Sequence, residues 1–315
     1  MWAYVARRIF AFVPTMFVSL TVIFVVTRLL PGSPVWALIG HQGVSDENIK
    51  QAERKLGLDK PIIVQYVAWL PKVMQGDFGK SVFFNRPVIS VIVERLPITL
   101  SLAGLSMVLT LSIALPLGIL SATRRNSVSD QISSVVSALG VSIPVFWLGF
   151  MLMLLFAVRL HWFPAAGYRP LSTGFLRWLS GLALPVFTLS ISQVALLVRH
   201  IRSSMLEVLD LEYVVTARAK GIQETRVIIK HALRNALVPI ITVIGIIFAL
   251  SLGGSVLVEN VFALPGIGQL ITSASLRRDY PTIEGGIAFL TMLSLIANLL
   301  VDISYTLVNP RIRND

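Results

Sequence analysis

The 315-residue chain contains no cysteine. That excludes disulfides, thiolate metal sites and a cysteine nucleophile, and leaves the compartment open. Charge is scarce as well: Asp, Glu, Lys and Arg make up 14% of the residues, against about 25% in ordinary soluble domains. With 55% hydrophobic residues and a mean hydropathy of +0.78, too little polar surface remains to clothe a water-soluble globule. One glycine is also missing. Gly79-Lys80-Ser81 ends like a phosphate-binding P-loop, but that motif needs an earlier glycine where this chain has Met74, and no buried strand precedes it.

What is present is apolar sequence in long runs. A membrane-crossing helix needs about 20 apolar residues to span a hydrocarbon core of roughly 30 Å. Six runs qualify: Ile9–Thr27, Pro97–Ala122, Gln131–Val158, Trp178–Val198, Ala236–Val258, and a sixth from Ile283 to about Val308. The second to fifth contain no Asp, Glu, Lys or Arg. The first follows Arg7 and Arg8, as a secretion signal would. Its run is longer than a signal core and no small-residue cleavage site follows, so it reads as a retained anchor closed by Leu29-Leu30-Pro31-Gly32. The fold class expected is an all-α polytopic membrane protein with six transmembrane helices.

Basic residues set the orientation. Thirteen lie on the side of the N-terminus, including Arg124, Arg125 and seven between Arg199 and Arg234. The short segments on the other side hold six: Arg28, Arg159, Arg169, Arg177, Arg277 and Arg278. The long loop over 31–96 counts for little, because such loops translocate regardless of charge. Both termini are therefore expected in the cytoplasm. The net charge of +11 reads as positive-inside bias and not as a nucleic-acid surface. Gly79-Lys80-Ser81 then lies outside, away from cytoplasmic ATP, and any ATP used must be hydrolysed by another chain.

Two loops carry pattern. In the external one, Ser45 caps a helix with Asp46 and Glu47 in its first turn, Arg54 and Lys55 in its last, and Gly57 as its stop. A second external helix over 62–74 aligns Ile63, Tyr66, Val67 and Leu70, with Trp69 suited to a headgroup boundary. In the cytoplasmic loop over 199–235, Arg226, Lys230 and Arg234 recur every four residues as a basic stripe, and Ile229, Leu233 and Leu237 as an apolar one. Gly221 interrupts helical propensity, so a short independent helix is expected to begin after it. That helix suits either anionic lipid or a protein groove.

At these residues the chain resembles a known family. "EYVVTARAKGIQETRVIIKHALRNALVPIITV", Glu212 to Val243, looks like the cytoplasmic signature of permease subunits of ATP-binding-cassette importers, more narrowly the dipeptide/oligopeptide/nickel branch. Val215 and Thr216 depart from the general Glu-Ala-Ala motif, and Ala217 fits it. "LLPGSP", "LGLDKPIIVQY", "GDFGKS", "ERLPITL", "VSIPVFWLG", "ENVFALPGIG" and "RDYP" extend the resemblance over the whole chain. It implies one type I importer-like permease domain over 1–315 that does no chemistry of its own and works with a second, related permease. Two ATPase subunits would carry ATP and magnesium, and an external substrate-binding protein would deliver cargo in the inner membrane. A coupling helix around Gly221 to His231 would seat in an ATPase groove, bringing in Ala217, Lys220, Gly221, Glu224, Arg226, Lys230 and Arg234. Short peptides are the expected cargo, with nickel complexes, glutathione and oligosaccharides as alternatives carried by relatives.

The polar residues within the spans are few. His41, His161, His200 and His231 show no metal-ligand spacing, and no catalytic triad or carboxylate pair appears. Asp302 stands as the one clear acid in a span, with Asn298 one turn before it; near the cytoplasmic end it has a structural role as the first expectation. Ser190, Ser192 and Gln193 place polar groups on the fourth span, to line a path or bond neighbouring helices. Pro116, Pro144, Pro185 and Pro239 open carbonyls or permit kinks. Glu259 and Arg278 are candidates for an external gate or docking salt bridge. The rival class, an ion-gradient-driven secondary transporter, predicts internal repeats and a membrane-embedded relay; no internal repeat is seen, and Asp302 alone makes a thin relay.

Overall fold

The computed structural model of the chain describes residues 2–29 and 59–308, almost wholly as helix. The external helix expected between Ser45 and Gly57 lies outside the described residues. In chain order the elements are α1 (Trp2–Leu29), α2 (Ile62–Met74), α3 (Val88–Thr123) and α4 (Val128–Ser142). Then come α5 (Val145–Leu152, prolonged as a π-helix over Met153–Arg159), α6 (Phe175–Leu209) and α7 (Glu212–Ala219). The last three are α8 (Glu224–Val261), α9 (Ile267–Leu276) and α10 (Tyr280–Val308).

Five helices, α1, α3, α6, α8 and α10, are each long and apolar enough to cross a membrane. The pair α4 and α5, bent by 102° between them, makes a sixth where the two are counted as one span. The expected run Gln131–Val158 is therefore not one helix. Pro144 offers no N–H to the α4 ladder, and its ring pushes the preceding residue out of the helical region; Ile143 sits at φ −83°, ψ 125°. Pro116, Pro185 and Pro239 leave α3, α6 and α8 continuous.

The centre of the molecule is the pair α3 and α6, which run parallel. Ser190 Oγ donates to the Ser106 carbonyl at 3.1 Å, Thr110 Oγ1 donates to Gln193 Oε1 at 3.0 Å, and Gly118 lies against Ile201, all at nearly one sequence offset. A Cβ on Gly118 would come within 2.7 Å of Ile201, and one on Gly140 within 2.8 Å of Ala195. Lipid offers no hydrophobic drive between helices, so close approach and hydrogen bonds hold this pair.

The helix expected over 62–74 forms but faces differently. Ile63 and Val67 are 76% and 63% exposed, while Tyr66, Trp69, Leu70 and Val73 turn inward. The helix is apolar nearly all round, so specific partners choose its face. Phe24 of α1 lies 5.3 Å from the Tyr66 ring and 5.2 Å from that of Trp69, and the Tyr66 and Thr21 hydroxyls are bonded at 2.6 Å.

Candidate functional site

The Gly79-Lys80-Ser81 segment forms a tight clasp and no phosphate cradle. Lys80 and Pro87 make an isolated antiparallel bridge, Ser81 N donates to the Arg86 carbonyl, and Gly79 takes φ +79° with its N–H on Asp77 Oδ1. Ser81 Oγ is spent on Asp279 at 2.5 Å, a carboxylate that also accepts from Val82 N and Thr282 Oγ1. Asp279, 1% exposed, thus ties "GDFGKS" to "RDYP" across the molecule. The Arg277 guanidinium stacks 3.6 Å above the Phe83 ring beside it.

Glu259 and Arg278 do not meet. Glu259 is fully buried, whereas Arg278 is exposed on a residue with φ +58°. The Glu259 carboxylate caps α9: Oε2 accepts from Gln269 N at 3.1 Å, and Oε1 accepts from Thr99 Oγ1 at 2.7 Å. Thr99 Oγ1 in turn accepts from Ile267 N. Unpaired N–H groups and positive dipole at a helix N-terminus suit a buried anion. Gly266 and Gly268 are glycines because a Cβ there would run into Glu259 and Val256. "ENVFALPGIG" and "ERLPITL" are thus one structural unit.

Sequence reasoning missed two buried ion pairs. Glu284, inside α10, pairs with Arg28 Nη1 at 2.6 Å and accepts from Thr27 Oγ1 at 2.9 Å, so Asp302 is not the one acid within a span. Its position one residue into the expected sixth run was the available signal. The Asp302 side chain lies outside the described ones. Asp130 of α4 accepts two bonds from Arg202, at 2.6 and 2.8 Å, and one from Ser121 Oγ, locking the α3–α4 turn onto α6. Nothing in the spacing of Asp130 and Arg202 announces that pair.

On the opposite face, α6 runs past its apolar stretch and leads into α7, a hairpin turn and the start of α8. α7 ends in a Schellman motif: Gly221 N donates to the Arg218 carbonyl at 2.9 Å and Ile222 N to the Ala217 carbonyl at 3.3 Å, with Gly221 at φ +75°. Gly221 therefore stops the helix before it. The short separate helix is α7, upstream of Gly221, and not a helix beginning after it. The segment from Glu224 onward is one 38-residue helix with the fifth span, since no breaker stands between them.

The stripes are corrected as well. Residues 227–233 are π-helical, which spaces successive inward residues by five: Val227 and Ala232 are buried, then Ala236 and Ile240. Ile229 is 58% exposed, and Leu233 and Leu237 are only partly covered. Arg226, Lys230 and Arg234 are all exposed. Ala217 is 6% exposed and packs α7 inward. Lys220 is exposed beside the turn, and Glu224 pairs with Arg218 across it at 2.8 Å, an exposed pair worth little by itself. Leu211, Tyr213 and Val215 present an apolar outer surface beside this basic rim. Tyr213 is fixed by Asn235 Nδ2, which donates to its hydroxyl at 2.7 Å.

Of the residues expected along a path, Ser190 is buried between α3 and α6 and Gln193 lies one turn on, bordering a cavity with Ser192 and Ser251. Asn298 is half-buried on α10. Among the described residues no three His, Asp or Glu side chains gather as metal ligands.

Residues 114–314 match the family described as binding-protein-dependent transport system inner membrane component, and residues 1–103 match the N-terminal membrane component of such systems. A putative peptide transport system permease protein of Brucella abortus is 43% identical over the full length of both chains. The oligopeptide transport system permease protein AppB of Bacillus subtilis is 41% identical, with 99% of each chain covered. In fold, the chain matches a protein in the inward-facing MetNI methionine ABC transporter with a TM-score of 0.56 and 18% identity, over 70% of this chain and 97% of that one. Six apolar spans, counting the bent pair, and a Gly221-closed hairpin outside them accompany a full-length match: the chain belongs to the permease family of binding-protein-dependent ABC importers.

Proposed function

We propose that this chain, as one permease domain over residues 1–315, moves short peptides inward across the cytoplasmic membrane with both termini in the cytoplasm. The reading rests on its full-length likeness to the peptide permeases of Brucella abortus and Bacillus subtilis. A second, related permease completes the path, and an external binding protein delivers the cargo. Two ATPase subunits hold ATP and magnesium and supply the work. The basic count on the cytoplasmic segments favours this orientation.

Coupling falls to the cytoplasmic hairpin. A motor can move the spans only through a rigid piece that stands clear of lipid and is continuous with them. The packing of the α7–Gly221–α8 unit supports this role: Val214, Ala217 and Val227 bury its inner side, and the 38-residue α8 is continuous with the fifth span. Leu211, Tyr213 and Val215 fill an ATPase groove, while Lys220, Arg226, Lys230 and Arg234 meet its rim. Glu224 and Gly221 hold the turn. Alternation between inward-open and outward-open states is then a bistable equilibrium biased by ATP and cargo.

The test is purification of the tagged chain from its native membrane, followed by reconstitution. The expected result is recovery of a second permease and an ATPase pair, with peptide uptake that needs ATP and the binding protein. Solute flux through this polypeptide alone would overturn the reading.

A further inference from the structure

At the end of the spans opposite the hairpin lies a charged cavity. It measures about 260 Å³ and sits among the clasp, α3 and α9, with Arg95, Arg277 and Asp279 in its lining. Asp279 is satisfied, accepting from Ser81 Oγ, Val82 N and Thr282 Oγ1. Among the described residues neither Arg95 nor Arg277 has a carboxylate within ion-pair distance. Two guanidiniums against one carboxylate leave the cavity one positive charge in excess. That charge is also preorganised. One face of the Arg277 guanidinium rests on the Phe83 ring at 3.6 Å, which leaves its N–H edge to grip a carboxylate through two parallel bonds. The walls are held as well, since Asp279 ties the clasp to α10 and Glu259 caps α9.

Size and surroundings select the occupant. Sites that enclose a small molecule run to roughly 300–1,000 Å³, so this cavity takes one side chain and not a whole peptide. An exposed Arg86–Glu94 ion pair adjoins Arg95, and Gln269 and Ser273 add polar groups to the lining, so the cavity opens to water and not to lipid tails. Phe83 and Leu276 stand exposed beside it. Arginine framed by exposed apolar side chains is the make-up of a protein-binding centre. We propose that this cavity receives one aspartate or glutamate side chain of the external binding protein and so docks that protein over α9. The inference rests on the peptide-import reading and its orientation, and says where the delivering partner is held.

The importer, with its partner subunits, is reconstituted in proteoliposomes, and peptide uptake is followed as binding protein is titrated. Arg95→Gln combined with Arg277→Gln should raise the half-saturating concentration of binding protein about tenfold or more, the size of one charged hydrogen-bonded pair. Excess binding protein should recover the loss. Added salt should weaken docking to the unaltered importer and affect the double variant less. To identify the occupant, the Arg277→Lys importer is treated with a carbodiimide in the presence of binding protein. The reagent activates a carboxylate of the binding protein, the new amine displaces it as a urea, and the resulting amide is located by mass spectrometry. The expected adduct joins position 277 to an Asp or Glu of the binding protein.

Unchanged half-saturation in the double variant overturns the proposal, as does uptake by the Arg277→Lys importer with no adduct at position 277. A shift in the half-saturating peptide concentration at saturating binding protein would seat cargo in the cavity instead. A defect seen only when phosphatidylglycerol is added to phosphatidylcholine vesicles would seat a lipid phosphate there; either result overturns the proposal. Where the double variant fails to assemble, the adduct decides alone. Absence of binding-protein-dependent uptake by the unaltered importer overturns the peptide-import reading beneath it.

Discussion

Two glycines of this chain are glycine for opposite reasons. At Gly221 an added Cβ meets nothing within 4 Å, so space is free and the constraint is the φ of +75° that closes α7. At Gly266 the backbone is ordinary and the constraint is the Glu259 carboxylate filling the site of any Cβ. The left-handed conformation costs an L-residue about 1–2 kcal/mol, more when β-branched. Gly221→Val should therefore unseat the α7 turn, leave membrane insertion intact, and cut peptide uptake about tenfold while ATP hydrolysis continues. Gly221→Asn, which tolerates this conformation, should stay near the unaltered rate. Uptake and hydrolysis measured in the same proteoliposomes check both, and unchanged uptake in the Val variant would remove Gly221 from coupling. The sequence named Gly221 as a breaker; which helix it breaks depends on the carbonyls that Gly221 and Ile222 find, and those belong to α7.

Among the elements, the start of α8 was misread for a definite reason. Counting in fours assumes an α-helix, and one π-helical stretch shifts everything before it by about a residue, roughly 100° of rotation. Val227 enters the core by that shift and Ile229 leaves it. Deleting Ile229 should restore α-helical spacing, swing Glu224 and Arg226 around the axis, and lift Val227 out of its contacts. Uptake is expected to vanish while the protein still inserts. Transport at the unaltered rate would show that the π-helix is dispensable. The bend at Pro144 was only partly legible: Pro116, Pro185 and Pro239 lack the same N–H and leave their helices continuous, so proline alone marks neither which span breaks nor a bend of 102°.

For the whole molecule, orientation decides whether the hairpin can meet a motor at all. Leu171, 57% exposed in the loop before α6, and Gln223, exposed after the Gly221 turn, lie at opposite ends of the spans. In intact cells a membrane-impermeant maleimide should label Leu171→Cys within minutes and reach Gln223→Cys only after the cells are opened. The reverse pattern would place the hairpin outside and end the coupling mechanism. The buried carboxylates belong to this scale too. Asp279, Glu284 and Glu259 each join segments far apart in the chain, so they act as fasteners among α1, α3, α9 and α10.

The sequence by itself determined that the chain is a helical membrane protein, where five of its apolar helices lie, and which family it resembles. Each of these follows from local composition or contiguous motif: apolar length sets the spans, and short words such as "TARAKG" carry the family. Only the tertiary structure decided what meets what. It put Ser81 on Asp279, Glu259 beneath α9, Arg202 on Asp130, and Gln193 beside a cavity with one polar atom to spare. Such pairings are fixed by the register of helices packed at close range, where one residue of rotation exchanges a buried group for an exposed one, and no local pattern records that register.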